Sequence, residues 1–371
     1  MKIVFDLDDT ICRTENRDYV NSTEISAVVS KISELRRTLP GAQIVVHTSR
    51  GMASCNGDVE AAEQKNRPTI EQWLTAHGIE VDEIVFGKPL ADLYVDDKGM
   101  SALDFSRAKV RRYYGFSGAY VTRIGRVMIK EAENAGVQAA WYREAQEHYE
   151  QRGEELQRAG VGRIRVPHVH SLTLGKLYME FVQGQSGTKV VSEAMVQELT
   201  TALALEPELP GENDRDAYAR YVESRAASVG LKTDIGDRIR SCEALRRRTF
   251  CHGDFSLQNI IATKDGYALI DPSPKQGMES WILDAGKLRA SLTCLDYILA
   301  RQDHPTALAY ALDSKLVEFE VSGYIPMGAK EAVRLAEESH IIRVWYYAKK
   351  LGKKKQEQQL ANQYYGRYGK R

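Results

Sequence analysis

The sequence predicts an α/β unit with a parallel sheet over residues 1–108, followed by an α+β unit over 109–371. Three observations carry this expectation. In the first 105 residues short apolar runs alternate with amphipathic stretches, and strands alternating with helices build a parallel sheet covered on both faces. Near 106 the pattern changes to a hairpin-like alternation with glycine turns. Beyond about 180 it is mostly helical, broken by one strand–turn–strand segment. At 371 residues the chain exceeds one ordinary core, so two or three domains are expected.

Charge and composition narrow the function classes. Lys plus Arg equals Asp plus Glu, at 51 each, so the chain has no overall field to gather polyanions, which argues against a nucleic-acid partner. The basic run from Lys349 to Lys355 reads as a solvated helix end. Five scattered cysteines without a CxxC pair indicate reduced thiols, not a disulfide framework or a zinc site. No apolar run approaches the ~20 residues that span a bilayer, and no signal segment precedes the first strand. A cytoplasmic protein is therefore expected.

In the first unit KIVFDLD is a strand ending in acids, 23–38 an amphipathic helix, QIVVHTS a buried strand, 68–77 a second helix, and EIVFG and DLYVDD further strands. Ligands of such sheets bind at the carboxyl ends of strands. Asp6, Asp8, Thr48, Lys88, Asp96 and Asp97 all fall at predicted strand ends. Of two alternate carboxylates after one strand, the first can attack phosphorus and the second can protonate the leaving oxygen. So much negative charge calls for Mg²⁺, held by Asp6, by Asp96 or Asp97, and by a backbone carbonyl, with Asp8 counted among the metal-site residues. Lys88 would neutralise the phosphate, and Thr48 would donate to a phosphoryl oxygen. Arg50 is either a ligand of the substrate phosphate or a surface arginine.

The four elements DLDDT, VVHTS, FGKP and YVDDK, in this order, resemble the haloacid dehalogenase superfamily over nearly all of residues 1–105. HTSRGM, Asn56-Gly57 and the close pair FGKP…YVDDK are similar to small phosphatases associated with capsular polysaccharide biosynthesis. The resemblance implies a Rossmann-like sheet, with Asp6 as nucleophile, Asp8 as acid/base, Thr48 and Lys88 as phosphate ligands, and Asp96 as metal ligand with Asp97 behind it. Thirty-seven residues between Thr10 and Thr48, and thirty-nine between Thr48 and Lys88, leave room for only a minimal cap.

In the second unit YYGFSGAYVTRIGRVMIKEA reads as a hairpin, 138–158 as a charged helix, and LYMEFV as a strand. No GxxxxGK[ST] occurs, which excludes a P-loop. Instead His252-Gly253-Asp254 is followed by Asn259 and by Ile270-Asp271-Pro272 on adjoining strands. This spacing suits transfer from ATP: Asp254 takes the proton of an acceptor hydroxyl, while Asn259 and Asp271 hold the metal ions on the phosphates. Lys130 ends the strand RVMIK and fits the lysine on the α/β-phosphates. Gly115 and Gly118 would close over the nucleotide, and Glu144, or failing it Glu147, would pair with Lys130. LYMEFVQG, with Glu180, would meet the adenine.

These residues resemble the aminoglycoside phosphotransferase, choline kinase and fructosamine kinase group over roughly 110–300. The resemblance implies a protein-kinase-like domain with an N-lobe at about 109–182 and a C-lobe at about 183–371. Asp284 takes the place of an aspartate that braces the catalytic loop, and His252 that of a histidine that orients it. HGD in place of HRD, and no recognisable activation segment, favour small-molecule acceptors over proteins.

Together these readings predict a bifunctional Mg²⁺-dependent phosphatase and ATP-dependent kinase. Its expected substrates are sugar or polyol phosphates in capsular or surface polysaccharide precursor synthesis. The alternative is one active domain with a binding or regulatory module beside it. Polynucleotide end-processing, which also pairs these activities, is disfavoured by the neutral charge and the missing P-loop.

Overall fold

The structure is a computed structural model that describes residues 1–15, 18–39, 41–89, 91, 99–114, 120–173, 175–273, 278–295 and 307–369. Packing divides the chain into two units, Met1–Ala135 with Val169–Phe181, and Gly136–His168 with Val182–Arg371.

The first unit begins with β1 (Lys2–Phe5), α1 (Ser26–Thr38), β2 (Gln43–His47), α2 (Val59–Ala76) and β3 (Glu83–Val85). The three strands are parallel, in the order β1-β2-β3. Val28, Ile32 and Leu35 of α1 recur at helical spacing and bury against Phe5, Ile44, Val46 and Ile84 of the sheet. α2 starts nine residues before the expected 68. Asp58 caps it by accepting from Ala61 N at 3.1 Å, and the helix runs through Pro68. A proline suits a first turn, which is why the sequence places the start there, but the cap and the buried Ala62 and Asn66 extend the helix upstream.

α3 (Ala102–Arg107) leads into an antiparallel sheet of β4 (Val110–Tyr114), β5 (Tyr120–Ile124), β6 (Val127–Glu131), β7 (Val169–Thr173) and β8 (Lys176–Glu180). Their spatial order is β7-β8-β6-β5-β4. Val110 joins the core of Phe5 and Phe105, whose rings meet edge-on at 5.1 Å, and Ile124 packs against it. Packing thus groups this sheet with the N-terminal piece.

The second unit contains most of α4 (Ala135–Arg158), whose buried face carries Trp141, Tyr142, Ala145, Tyr149 and Leu156. A hairpin of β9 (Ile260–Ala262) and β10 (Gly266–Leu269) pairs antiparallel, and β10 pairs parallel with Arg163–Arg165. The helices are α5 (Glu193–Ala204), α6 (Arg215–Ser228), α7 (Trp281–Ala290), α8 (Ala307–Val321), α9 (Ala329–Lys350) and α10 (Lys354–Tyr368), besides shorter turns. α7 is buried almost throughout and lies along α9. Gly286 permits this approach, since a Cβ there would stand 2.4 Å from the Ala336 Cβ.

Gly266 lets β10 pair with Arg163–Arg165 by a similar constraint. Its φ is +148°, and a Cβ would meet Arg163 O at 2.1 Å. Gly266→Ala is expected to cost about 1–3 kcal/mol through this clash and the lost pairing. Urea denaturation measures it, and a change below ~0.5 kcal/mol would show that the pairing is not required.

Candidate active sites

The first site follows from alternation at the end of β1. Phe5 and Leu7 point into the core, so Asp6 and Asp8 emerge together on the other side. The chain then turns tightly, with Ile11 N and Cys12 N both donating to Leu7 O at 2.9 and 3.1 Å, and with Asp9 at φ +57°. Lys88 Nζ lies 3.0 Å from Asp6 Oδ2. Thr48 is fully buried at the end of β2. Its N donates to Val85 O, its carbonyl accepts from Lys88 N, and its hydroxyl oxygen accepts from Arg50 N at 2.9 Å. Asp6, Asp8, Thr48 and Lys88 therefore lie at the carboxyl ends of the three parallel strands.

Arg50 is not a surface residue. Only 4% exposed, it forks onto Asp8, with Nη2 at 2.6 Å from Oδ1 and Nε at 3.2 Å from Oδ2, and it stacks on the Tyr19 ring. Thr14 donates a further bond to Asp8 Oδ1 at 3.1 Å. Burial, ahead of the nearby Asp8 charge, pushes the Cys12 thiol up, so Cys12 packs here as a neutral side chain. The expected metal ligands Asp96 and Asp97 lie outside the described residues. Among the described residues no group of three or more His, Cys, Asp or Glu side chains could hold a metal ion.

The second unit brings Asp254, Asn259 and Lys287 together. Asp254 Oδ1 lies 2.9 Å from Lys287 Nζ, and Asp254 Oδ2 accepts from Asn259 Nδ2 at 2.8 Å. Burial pushes the Asp254 carboxyl up, but Lys287, followed by the Arg343 charge, draws it below its ordinary value. Because a carboxylate only accepts, Asn259 must present Nδ2 to Asp254, which leaves its Oδ1 for another partner. Asp271 has φ +58°, donates its N–H to the Tyr142 hydroxyl at 2.8 Å, and accepts from Gln138 Nε2 at 3.0 Å. Its chain neighbour Ile270 donates its N–H to Asn259 O at 2.9 Å, which ties the two strands together.

The loop itself hangs on α7. Asp284, buried, accepts from His252 N at 2.6 Å and Gly253 N at 2.8 Å. His252 Nε2 donates to the Ile270 carbonyl at 3.0 Å, so Nδ1 is the acceptor that meets Asp254 N at 3.2 Å. His252 is thus a neutral strut, and burial lowers its pKa to about 4. Burial likewise raises Asp284 to about 7.

Lys130 and Glu180 belong to the first unit, where Lys130 is buried on β6 between Val121 and Leu177 and Glu180 ends β8 opposite Val127. Glu144 and Glu147 are exposed on α4, and neither forms an ion pair among the described residues. The α4 residue that reaches Asp271 is Gln138, with Tyr142 one turn on. Gly115 and Gly118 lie outside the described residues. Gln138, Tyr142 and Lys287 were not singled out from sequence. Gln138 and Tyr142 leave a trace there in the helical spacing of 138, 142, 145 and 149 along one buried face; Lys287 leaves none.

Two predictions follow from the buried charges. Asp8→Asn would strand the Arg50 guanidinium, and a loss of about 1–3 kcal/mol is expected in urea denaturation. An unchanged midpoint would show that solvent already screens the pair. For His252, the folded value lies below the unfolded one, so its contribution is withdrawn as pH falls from 6.5 through 4. Asp284 works in reverse: its folded value is raised above 3.8, so stability returns as pH falls through 7 toward 3.8. Between pH 7 and 4.5, Asp284→Asn should therefore lose roughly 3 kcal/mol more stability than the wild type. Parallel stability–pH curves would rule this out.

No protein-family model and no curated protein matches the chain. A solved structure from Vibrio cholerae, a structural-genomics target, is 30% identical over 28% of this chain and 86% of its own, with a TM-score of 0.27. A GDP complex of aminoglycoside 2'-phosphotransferase-IIIa is 12% identical over 70% of this chain and 93% of its own, TM-score 0.42. Choline kinase from Cryptosporidium parvum is 10% identical over 70% and 88%, TM-score 0.39. Among the described residues no helix is long and apolar enough to cross a membrane. By identity and coverage the N-terminal segment belongs to one family with the Vibrio cholerae protein, and in that segment the described strands form a parallel α/β sheet.

Proposed function

We propose that the chain is a bifunctional phosphoryl-transfer enzyme, with a phosphatase in residues 1–108 and an ATP-dependent small-molecule kinase in 109–371. The observation that carries this reading is the Asp254 cluster: one carboxylate oriented by Asn259 and Lys287, on a loop pinned by Asp284, beside Asp271. Asp254 accepts the proton of an acceptor hydroxyl as that oxygen attacks the terminal phosphorus of ATP, and ADP leaves. The free Asn259 Oδ1 and the Asp271 carboxylate are hard oxygen donors of the kind Mg²⁺ prefers. When bound, Mg²⁺ neutralises charge on the transferring phosphoryl group. Lys130, Glu180, Gly115, Gly118 and Glu144 are carried as nucleotide-site residues.

In the first domain Asp6 attacks the substrate phosphorus and Asp8 gives a proton to the leaving oxygen. The aspartyl phosphate is then hydrolysed, with Asp8 taking a proton from water. Lys88 and Thr48 hold the phosphoryl oxygens, and Arg50 fixes the direction of the Asp8 carboxylate. Asp6 would hold Mg²⁺, with Asp96 or Asp97 and with Asp8 nearby. The substrate class we infer is a sugar or polyol phosphate of surface-polysaccharide precursor synthesis. Two sites acting on one oxygen would merely hydrolyse ATP, so they act on different positions or on successive intermediates.

A ³¹P NMR time course with ATP, Mg²⁺ and a panel of sugar and polyol phosphates tests this. Asp254→Asn is expected to lower transfer at least ~10²-fold, and Asp6→Asn to abolish phosphate release. A bisphosphate that accumulates only in Asp6→Asn places the kinase first. Activity on none of the panel by either domain would sink the carbohydrate assignment.

A further inference from the structure

Nearly every buried carboxylate of the second unit's helical core is matched by a cation or a donor. On α9, Glu337 pairs with Arg289 and Arg367. Its neighbour Glu338 pairs with Arg238 at 2.8 Å and accepts from the Tyr364 hydroxyl at 2.7 Å. The more exposed Glu223 on α6 likewise pairs with Arg240 at 2.8 Å. Two arginines of the same pair of helices stand outside this pattern. Arg343 on α9 and Arg225 on α6 make no ion pair among the described residues, and the Nε of each is buried without a hydrogen-bond partner.

Their placement is specific. Both guanidinium groups sit against one ring, with Cζ of Arg225 3.9 Å and Cζ of Arg343 6.0 Å from the Tyr221 centroid. Arg225 also lies 5.2 Å from the Tyr346 ring. Arg343 is held by His340, whose Nε2 donates to the Leu283 carbonyl at 2.9 Å. That bond leaves Nδ1 as an acceptor, which takes Arg343 Nη1 at 2.9 Å. His340 therefore orients the guanidinium without neutralising it. Leu283 precedes Asp284, the residue that pins the catalytic loop, so Arg343 is referenced to the same turn of α7 that positions Asp254. The Arg343 charge is felt at Asp254, where it adds to Lys287 in stabilising the carboxylate.

Lys287 already matches Asp254, so the charge of Arg343 is in excess beside the proposed base, and Arg225 shares the Tyr221 ring with it. Two guanidinium groups without an ion-pair partner among the described residues suit a doubly charged oxyanion better than a single carboxylate, because their terminal Nη donors can share its oxygens.

We propose that Arg343 and Arg225, arranged about Tyr221, form an acceptor subsite that binds a phosphate monoester group, so that the kinase's alcohol substrate is itself already phosphorylated. This deepens the kinase reading above and rests on it. The subsite sets which acceptor is held; it takes no part in the bond-making step.

Inorganic phosphate is the probe, titrated calorimetrically into the full chain with ADP and Mg²⁺ present. A Lys88→Ala background removes phosphate binding at the first site. Arg343→Gln and Arg225→Gln are each expected to weaken phosphate binding at least fivefold, and Arg343→Lys to restore part of the loss. Acetate should bind at least tenfold more weakly than phosphate. Circular dichroism checks that each variant is folded, and Arg225→Gln supplies the test should Arg343→Gln fail to fold. Phosphate affinity within twofold of the background in both folded glutamine variants overturns the subsite, as does acetate binding as tightly as phosphate. ADP binding is measured in the same samples: its failure removes the kinase reading, whereas intact ADP binding with unaltered phosphate affinity removes only the subsite.

Discussion

The second unit is organised around one buried carboxylate. Asp284 accepts the backbone N–H groups of His252 and Gly253 from inside α7, and a carboxylate so placed costs free energy unless such donors meet it. Its two bonds reverse the chain at Gly253, φ +78°, and deliver Asp254 to the surface of the helical core. The same helix supplies Lys287 one turn later, so the loop and the cation that meets its aspartate are registered by a single rigid element. α7 can act as this reference because it is itself immobilised, buried on nearly all sides and pressed against α9 at Gly286.

Asp271 is fixed by different means. Its left-handed backbone conformation is uncommon for a residue with a Cβ and costs free energy, and two side chains of α4 hold it there. The Tyr142 hydroxyl receives its N–H, and Gln138 bridges its carboxylate and the Pro272 carbonyl with one amide nitrogen. The position of α4 is therefore coupled to the orientation of Asp271. A shift of that helix would release both contacts together, so its packing through Trp141, whose indole N–H donates to Cys251 O at 2.9 Å, bears on the site as well as on stability.

Much of this was legible in the sequence where function follows local spacing. Asp6 and Asp8 are two residues apart after an apolar strand, and Asp254, Asn259 and Asp271 lie on one loop and one hairpin. Alternation alone brings such residues together. Contacts that depend on tertiary packing left little trace. Arg50 meets Asp8 across 42 residues, and Gln138 meets Asp271 across 133, and nothing in a linear pattern marks an arginine as buried. The start of α2 was obscured for a related reason: Pro68 is a strong local signal for a helix start, whereas the cap at Asp58 takes effect only because Ala62 and Asn66 bury.

The two sites solve one electrostatic problem on unrelated frameworks. A carboxylate facing a phosphate group repels it, by about 4 kcal/mol for unit charges 4 Å apart at an effective dielectric of 20. Asp6 meets Lys88, Asp8 meets Arg50, and Asp254 meets Lys287, each at 2.6–3.0 Å. In every case the cation comes from an element other than the aspartate's own loop: the ends of β2 and β3 in the first unit, a helix in the second. A cation on the same loop would move with the carboxylate and fix nothing; one on a separate rigid element sets the direction of the carboxylate as well as offsetting its charge. Of the three cations, Lys287 is matched one for one by the carboxylate of the proposed base. Arg343 and Arg225 differ because His340 spends a lone pair on Arg343 but no charge, and Tyr221 offers only its ring face. Asp254 is thus already matched by Lys287, and the Arg343 charge felt there comes in addition.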